Sequence, residues 1–364
     1  MTDRRVTPTI ITLALAYASA GVAQASELAI YNWADYLGQT SLSTFEAATG
    51  TSVTLDYFDS NEILETKLLT GASGYDVVFP AASNAEREFQ AGALLAIDPA
   101  RLSNYANLDP DILAALDKVP GGRELGVPYT WGTIGIAYNP KLVAERIGDQ
   151  DMSTWDVLFN PKIASKLADC GIAMLDSPVE MVSVTMNYLG IDPYSNDAAD
   201  LERTLAALSG TADNIRYFHN QKSTNDLASG DICMAVIYSG DAGIAQARAA
   251  ESNNGVEVLY TIPKEGTLMW IDLMAIPSDA KNVDEAYAFI DHMLRPEVIA
   301  EVSNMLFFAN ANKAADAHID PAILSDPGIY PDAETLNRLF PDKSVDAKTL
   351  RNRTRLWTSV KSGI

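Results

Sequence analysis

The sequence predicts an α/β fold arranged as two lobes. Short apolar runs alternate with segments of helical periodicity along the whole chain, as expected for strands joined by helices in largely parallel sheets. The 364 residues exceed one ordinary small domain, yet no repeat, low-complexity tract or Gly/Ser linker divides them. Lobes joined by segments embedded in structure fit this better than lobes on a tether. A composition 48% hydrophobic, with no later uninterrupted apolar run of membrane-spanning length, is that of a globular chain.

The N-terminus comes first. Arg4 and Arg5 precede an apolar stretch at 10–18, followed by small residues at Ala23 and Ala25. A basic start, a short apolar run and an A-x-A site read as a signal peptide over residues 1–25, leaving a mature chain from Ser26. The competing reading is a buried N-terminal helix. No cysteine stands near the cleavage site, so a lipid anchor on a new N-terminal cysteine is not expected.

Strands are expected at 28–31, 52–57, 76–79, 171–175, 215–218, 232–238, 256–262 and 268–275. Helices are expected at 41–48, 62–69, 84–90, 179–189, 199–208, 242–250, 283–294 and 297–305. The second helix shows the logic: Ser60 or Asn61 can cap it, Ile63, Leu64, Leu68 and Leu69 recur on one face, and Gly71 ends it. The stretch "GVPYTWGTIGIAYNP", 126–140, is extended and aromatic and is the expected crossing point. The lobes are expected to comprise 26–133 with 256–300, and 134–255 with 301–364.

The formal charge is −22, and loss of Asp3, Arg4 and Arg5 with the signal would leave −23. Such a surface repels nucleic acid and anionic lipid. It suits a cationic ligand or partner, or serves solubility alone. The two cysteines, Cys170 and Cys233, flank apolar strand-like runs. In an exported chain they read as a disulfide, against two buried free thiols.

In open α/β sheets ligands collect outside the carboxyl ends of strands. Trp33, Asp35 and Tyr36 follow the first expected strand, and Asp176 and Glu180 follow the fourth. Tyr238 and Asp241 follow the sixth, Trp270 and Asp272 share a face of the last, and Phe308 lies near a turn-like segment. Aromatic rings and carboxylates thus recur together, with Arg87 and Lys313 the nearest cations in sequence. A carboxylate in apolar surroundings is costly unless paired, so the missing cation is expected from a ligand. Aromatic faces favour ammonium groups and methylene chains. The ligand these residues describe is a flexible alkyl chain with an amine at each end. Each residue also has a structural reading: Asp176 and Asp241 as helix N-caps, Trp33 and Trp270 as core.

The segments "IYNWADYL", "FDSNEILETKL", "YDVVFPAASNAER", "NIRYFH", "NDLASGDICMAV", "TIPKEGTLMWIDLMAIP", "FFANANKAA" and "RTRLWTSVKSG" resemble the bacterial periplasmic polyamine-binding proteins of ABC importers, and the putrescine-binding branch most. The resemblance implies the type II periplasmic solute-binding fold, with a hinge of crossing strands and a polyamine in the cleft. It also implies a Cys170–Cys233 disulfide, an inner-membrane ABC permease as partner and a monomer, with no cofactor, metal or nucleic acid. Its cleft residues map onto Trp33, Asp35, Tyr36, Glu180, Tyr238, Asp241, Trp270, Asp272 and Phe308. The chain departs from the branch at Ala34, Ala81 and Phe308, where hydroxyls are lost, and at Tyr238 and Trp270, where the walls are resized. The choice among putrescine, cadaverine, agmatine and spermidine therefore stays open. The alternatives are a polyamine sensor for a signalling receptor and a secreted carboxylate-dependent hydrolase. The hydrolase lacks any nucleophile-elbow, zinc or phosphate-loop motif, and His219, His292 and His318 form no ligand spacing.

Overall fold

The computed structural model describes residues 26–363; the expected signal peptide lies outside the described residues. Strands β1 (Glu27–Trp33), β2 (Ser52–Phe58) and β3 (Val77–Val78) form a parallel sheet in the order β2-β1-β3. Leu28, Ile30 and Asn32 are buried in alternation along β1, the period of a strand with one face against a core.

The second sheet is built on β4 (Val127–Tyr138), twelve residues long and buried almost throughout. The later strands are β5 (Ile172–Met174), β6 (Ile215–Phe218), β7 (Met234–Tyr238), β8 (Leu259–Thr261), β9 (Leu268–Met274), β10 (Ala309–Asn310) and β11 (Phe340–Pro341). Their order is β11-β9-β4-β7-β5-β6, with β8 and β10 also on β4. The first half of β4 pairs with β9 and β10, and its second half with β7 and β8. One apolar core takes Val127, Tyr129 and Trp131 from β4; Ile134 and Ile136 belong to another. The strand therefore crosses between lobes, at the segment where the sequence reading puts the crossing.

Three expectations need correcting. The second sheet is mixed rather than largely parallel: all four partners of β4 run antiparallel to it. A strand shared by two lobes is met by chain returning in the opposite sense. The return crossing is β9, where Leu268 and Trp270 face one core and Met269 and Ile271 the other; Val258, inside the region assigned to the first lobe, packs with Ile237 and Ala245 in the second. The segment 301–364 is not one body either. Val302, Ala309, Ile323 and Leu339 join the first core, while Leu356 and Trp357 join the second. The chain thus crosses a third time near β11, a strand of two residues with no periodicity to reveal it.

The helix Asn61–Leu69 starts at Ser60, whose hydroxyl accepts the Ile63 N–H. The C-terminal helix Ala347–Ser362, where no element was expected, packs on the helices Pro178–Tyr188 and Ala198–Ala212. Asp176 is not an N-cap. It accepts from the Trp357 indole at 2.8 Å and from Lys361 at 2.7 Å, so its cation comes from the far end of the chain.

Cys170 and Cys233 form a disulfide with Cα atoms 5.5 Å apart. They stand just before β5 and β7, adjacent parallel strands paired at Ile172 and Met234. A bridge across 63 residues restricts the unfolded chain, and its loss should cost about 2–5 kcal/mol. Intact mass should rise by two hydrogen atoms only after reduction, and the reduced protein should melt several degrees lower. Two free thiols in protein recovered from an oxidising compartment would contradict this.

Candidate ligand-binding cleft

Four aromatic rings run edge to face between the lobes. Tyr36 meets Phe308 with ring centroids 6.2 Å apart, Phe308 meets Trp270 at 5.1 Å, and Trp270 meets Tyr238 at 6.4 Å. A phenol–carboxylate pair stands at each end. Tyr36 donates to Asp272 Oδ2 at 2.7 Å, and Tyr238 donates to Glu180 Oε2 at 2.7 Å.

Local sequence explains the placement. Asn32, buried on β1, accepts the Trp33 N–H at 2.8 Å, and the Trp33 indole donates to the Phe79 carbonyl at 2.9 Å. Tyr129 on β4 donates to the Tyr36 carbonyl at 2.8 Å, and Thr130 meets the Tyr36 hydroxyl at 2.5 Å. These bonds pin the loop after β1 to the crossing strand. Trp270 lies against Gly132 on β4, and Phe308 against Gly240 at the start of the helix Ser239–Ser252. A methyl group at either glycine would overlap the ring. The backbone at Phe307 is left-handed, with φ 59°, ending the helix Pro296–Leu306 one residue before Phe308.

Burial pushes the Asp272 carboxyl up to about 7; the Tyr36 hydrogen bond opposes this and the charge of Asp342 adds to it. Burial also pushes Glu180 up to about 7, with Asp342 as the next contributor. Burial raises Asp342 to about 6 against the Ser83 hydrogen bond and the charges of Arg87 and Arg353. Asp241 rises to about 6 by burial, opposed by Arg248. The Tyr36 and Tyr238 phenols rise well above their ordinary value, first by burial and then by the carboxylates beside them. Among the described residues no lysine or arginine forms an ion pair with Asp272, Glu180, Asp241 or Asp342. The Trp270 indole N–H is buried with no acceptor among these residues, an omission worth about 1–3 kcal/mol.

The structure brings Tyr36, Glu180, Tyr238, Trp270, Asp272 and Phe308 together. Trp33 lies at the edge of the group and packs against Phe58 at a tilt of 56°, with ring centroids 4.5 Å apart. Asp35 is exposed, in left-handed backbone with φ 55°, and lines an adjoining cavity of about 800 Å³ with Tyr57, Arg248 and Met305. Asp241 lies in the first turn of the helix Ser239–Ser252 rather than capping it, and acts on the Tyr238 phenol. The charge acting on Asp272 comes from Asp342. Sequence reasoning missed Thr130, Tyr129 and Asp342. The first two lie in the crossing strand, where aromatic and β-branched residues read only as extended backbone; Asp342 follows a strand too short to notice.

The model of the bacterial extracellular solute-binding proteins matches residues 40–331. The chain belongs to that family. It is 42% identical to the putrescine-binding periplasmic protein SpuD of Pseudomonas aeruginosa, with 99% of each chain covered. It is 44% identical to the putrescine-binding periplasmic protein PotF of Escherichia coli, covering 94% of this chain and 93% of that one. Among solved structures it is similar to the spermidine/putrescine substrate-binding protein PotD of Streptococcus pneumoniae, with a TM-score of 0.81, 28% identity and coverage of 93% and 99%. The fold is that of the type II solute-binding proteins, as expected.

Two outcomes follow from this packing. Carboxyls held near 6–7 keep protons that the unfolded chain, titrating near 4, has already lost. Folding then binds protons, so stability from these groups is complete below about pH 4 and is lost as pH rises through about 7. Buried Glu88, raised to about 8, acts in the same direction, and His292, whose pKa burial lowers, acts oppositely below its unfolded value near 6.5. The melting temperature of ligand-free protein should therefore fall between about pH 6.5 and 8, and less steeply in Asp272→Asn; equal slopes would contradict the assignment. Gly240→Ala should displace Phe308 and cost about 1–3 kcal/mol in chemical denaturation, whereas a neutral change would mean that the ring moves freely.

Proposed function

We propose that this chain is exported to the periplasm with loss of residues 1–25 and captures a polyamine of the putrescine class between its lobes. It hands this ligand to the membrane permease of an ABC importer. The observation that carries the reading is the row of four aromatic rings ending in two phenol–carboxylate pairs that no lysine or arginine among the described residues pairs with. An alkyl diamine complements it: methylenes lie along the rings and an ammonium meets each carboxylate. SpuD and PotF, named for putrescine binding, support the same chemistry.

In this reading Asp272 and Glu180 take the two ammonium groups, with Tyr36 and Tyr238 orienting them. Trp270, Phe308 and Trp33 wall the methylene chain. Asp241 adds negative charge from the second lobe, and Asp35, exposed at the mouth, draws the cation in. Because the two carboxylates lie on different elements around the hinge, a bound dication favours the closed arrangement of lobes over any open one. In this reading the chain binds and releases its ligand unchanged, in keeping with relatives named for putrescine binding.

Titration calorimetry on ligand-stripped protein tests this. Wild type should bind at least one of putrescine, cadaverine, agmatine and spermidine. Asp272→Asn keeps the shape and removes a charge, and should lose about 2–5 kcal/mol of binding. Trp270→Ala should lose less, and Asp149→Asn, at an exposed position, should change little beyond salt dependence. No heat with any amine would overturn the function; unaltered binding by Asp272→Asn would overturn the site.

A further inference from the structure

The register of β4 on β9 breaks opposite Asp272. Pro128 pairs with Leu273 and Trp131 with Ile271, so Tyr129 and Thr130 stand together against the single residue Asp272. Two residues facing one make a β-bulge, which re-aims side chains, and Pro128 sits where a proline within a sheet is tolerated. β10 also pairs here, Asn310 with Thr130.

Both bulge residues reach Tyr36. The Tyr129 hydroxyl donates to the Tyr36 carbonyl at 2.8 Å. Thr130 Oγ1 lies 2.5 Å from the Tyr36 hydroxyl, which lies 2.7 Å from Asp272 Oδ2. Thr130, Tyr36 and Asp272 are all buried, and the Thr130 hydroxyl makes no other hydrogen bond among the described residues.

A phenol carries one proton, and an ionised carboxylate only accepts. When Asp272 is ionised, the Tyr36 proton therefore points to Asp272 and Thr130 must donate to the phenol oxygen. Hydrogen bonds in such a chain polarise one another, so a donor behind the phenol makes its O–H a stronger donor in front. Burial and Asp272 push the Tyr36 phenol up, and the Thr130 bond opposes them. The other end of the ring row lacks this device. Tyr238 donates to Glu180 Oε2, and no second hydroxyl among the described residues backs it.

We propose that Thr130 is a positioning residue: from the bulge it donates to Tyr36, directs the phenol proton to Asp272 and so favours the ionised carboxylate that an ammonium group of the ligand meets. This rests on the polyamine reading and deepens it.

Because Thr130 acts on the charge of Asp272, its loss has a pH signature. Burial pushes Asp272 up to about 7 in the empty protein. Below that pH the empty site is protonated and only the occupied site needs the carboxylate ionised, so a missing donor weakens binding. Above it both states are ionised and the loss cancels. Asp342, Glu180 and Tyr129 also interact electrostatically with Asp272, and each stays in place in the variants below.

The experiment is calorimetric titration of wild type, Thr130→Val, Thr130→Ala and Thr130→Ser, at about pH 6 and about pH 8.5, on either side of the Asp272 titration. The probe is whichever of putrescine, cadaverine, agmatine and spermidine wild type binds most tightly, and each variant is first checked by thermal melting. The first two variants remove the hydroxyl, one keeping the bulk of the side chain and one not, so one serves if the other fails to fold. At the lower pH they should bind roughly three- to tenfold more weakly than wild type, the worth of one net hydrogen bond. At the higher pH they should come within about twofold of it. Thr130→Ser keeps the hydroxyl and should restore the wild-type pH dependence. A folded variant without the hydroxyl that binds as wild type at both pH values, or weakens equally at both, overturns the inference and leaves the polyamine function standing. Wild type that binds none of the four amines overturns both.

Discussion

Carboxylates buried against aromatic rings, with no ion-pairing lysine or arginine among the described residues, are the constraint around which this molecule is arranged. An ionised carboxylate in such surroundings is among the costliest groups a fold can carry. Asp272 and Glu180 are tolerated because each accepts a phenol hydrogen bond and because their protonation shifts to near neutrality. Neither device removes the cost; both lessen it, and under the proposed function a ligand cation offsets the rest. Favourable binding and an uncomfortable empty state are two views of the same electrostatics.

The scaffold serves that arrangement. Asp272 and Trp270 lie on β9, Thr130 and Tyr129 on β4, and these two strands pair with each other across the crossing. The groups proposed to meet the ligand are therefore mounted on the strands that cross between the lobes, so ligand contact and lobe geometry share the same elements. Glycines at 132 and 240 bring backbone close enough for two large rings to fit. The rings are held by packing, while the carboxylates are held by hydrogen bonds from phenols that are themselves anchored.

Local pattern made much of this legible. The strands at 215–218 and 268–274 and the helix at 61–69 announce themselves by periodicity, and the carboxylate between Ile271 and Leu273 stands out because apolar strands rarely carry one unpaired. What stayed hidden depends on pairings distant in sequence. The antiparallel partners of β4, the allegiance of 302–339 to the first core and the Lys361–Asp176 pair are properties of chain topology. Asp342 escaped because its strand, Phe340–Pro341, is held by neighbours rather than by its own pattern.

The three crossings also bear on how the chain acquires its structure. The first core draws on Leu28 near one end and on Leu339 near the other. No N-terminal fragment can complete it, because its last contributors follow the whole of the second lobe except the closing helix. A chain emerging N-terminus first must hold its opening sheet in an unfinished state while the inserted lobe is made. Contacts of such long sequence separation slow folding. If the chain is exported as proposed, the delay gives a translocation machinery time to act on it unfolded; it also leaves the β1 region exposed to wrong partners if the last forty or so residues are withheld.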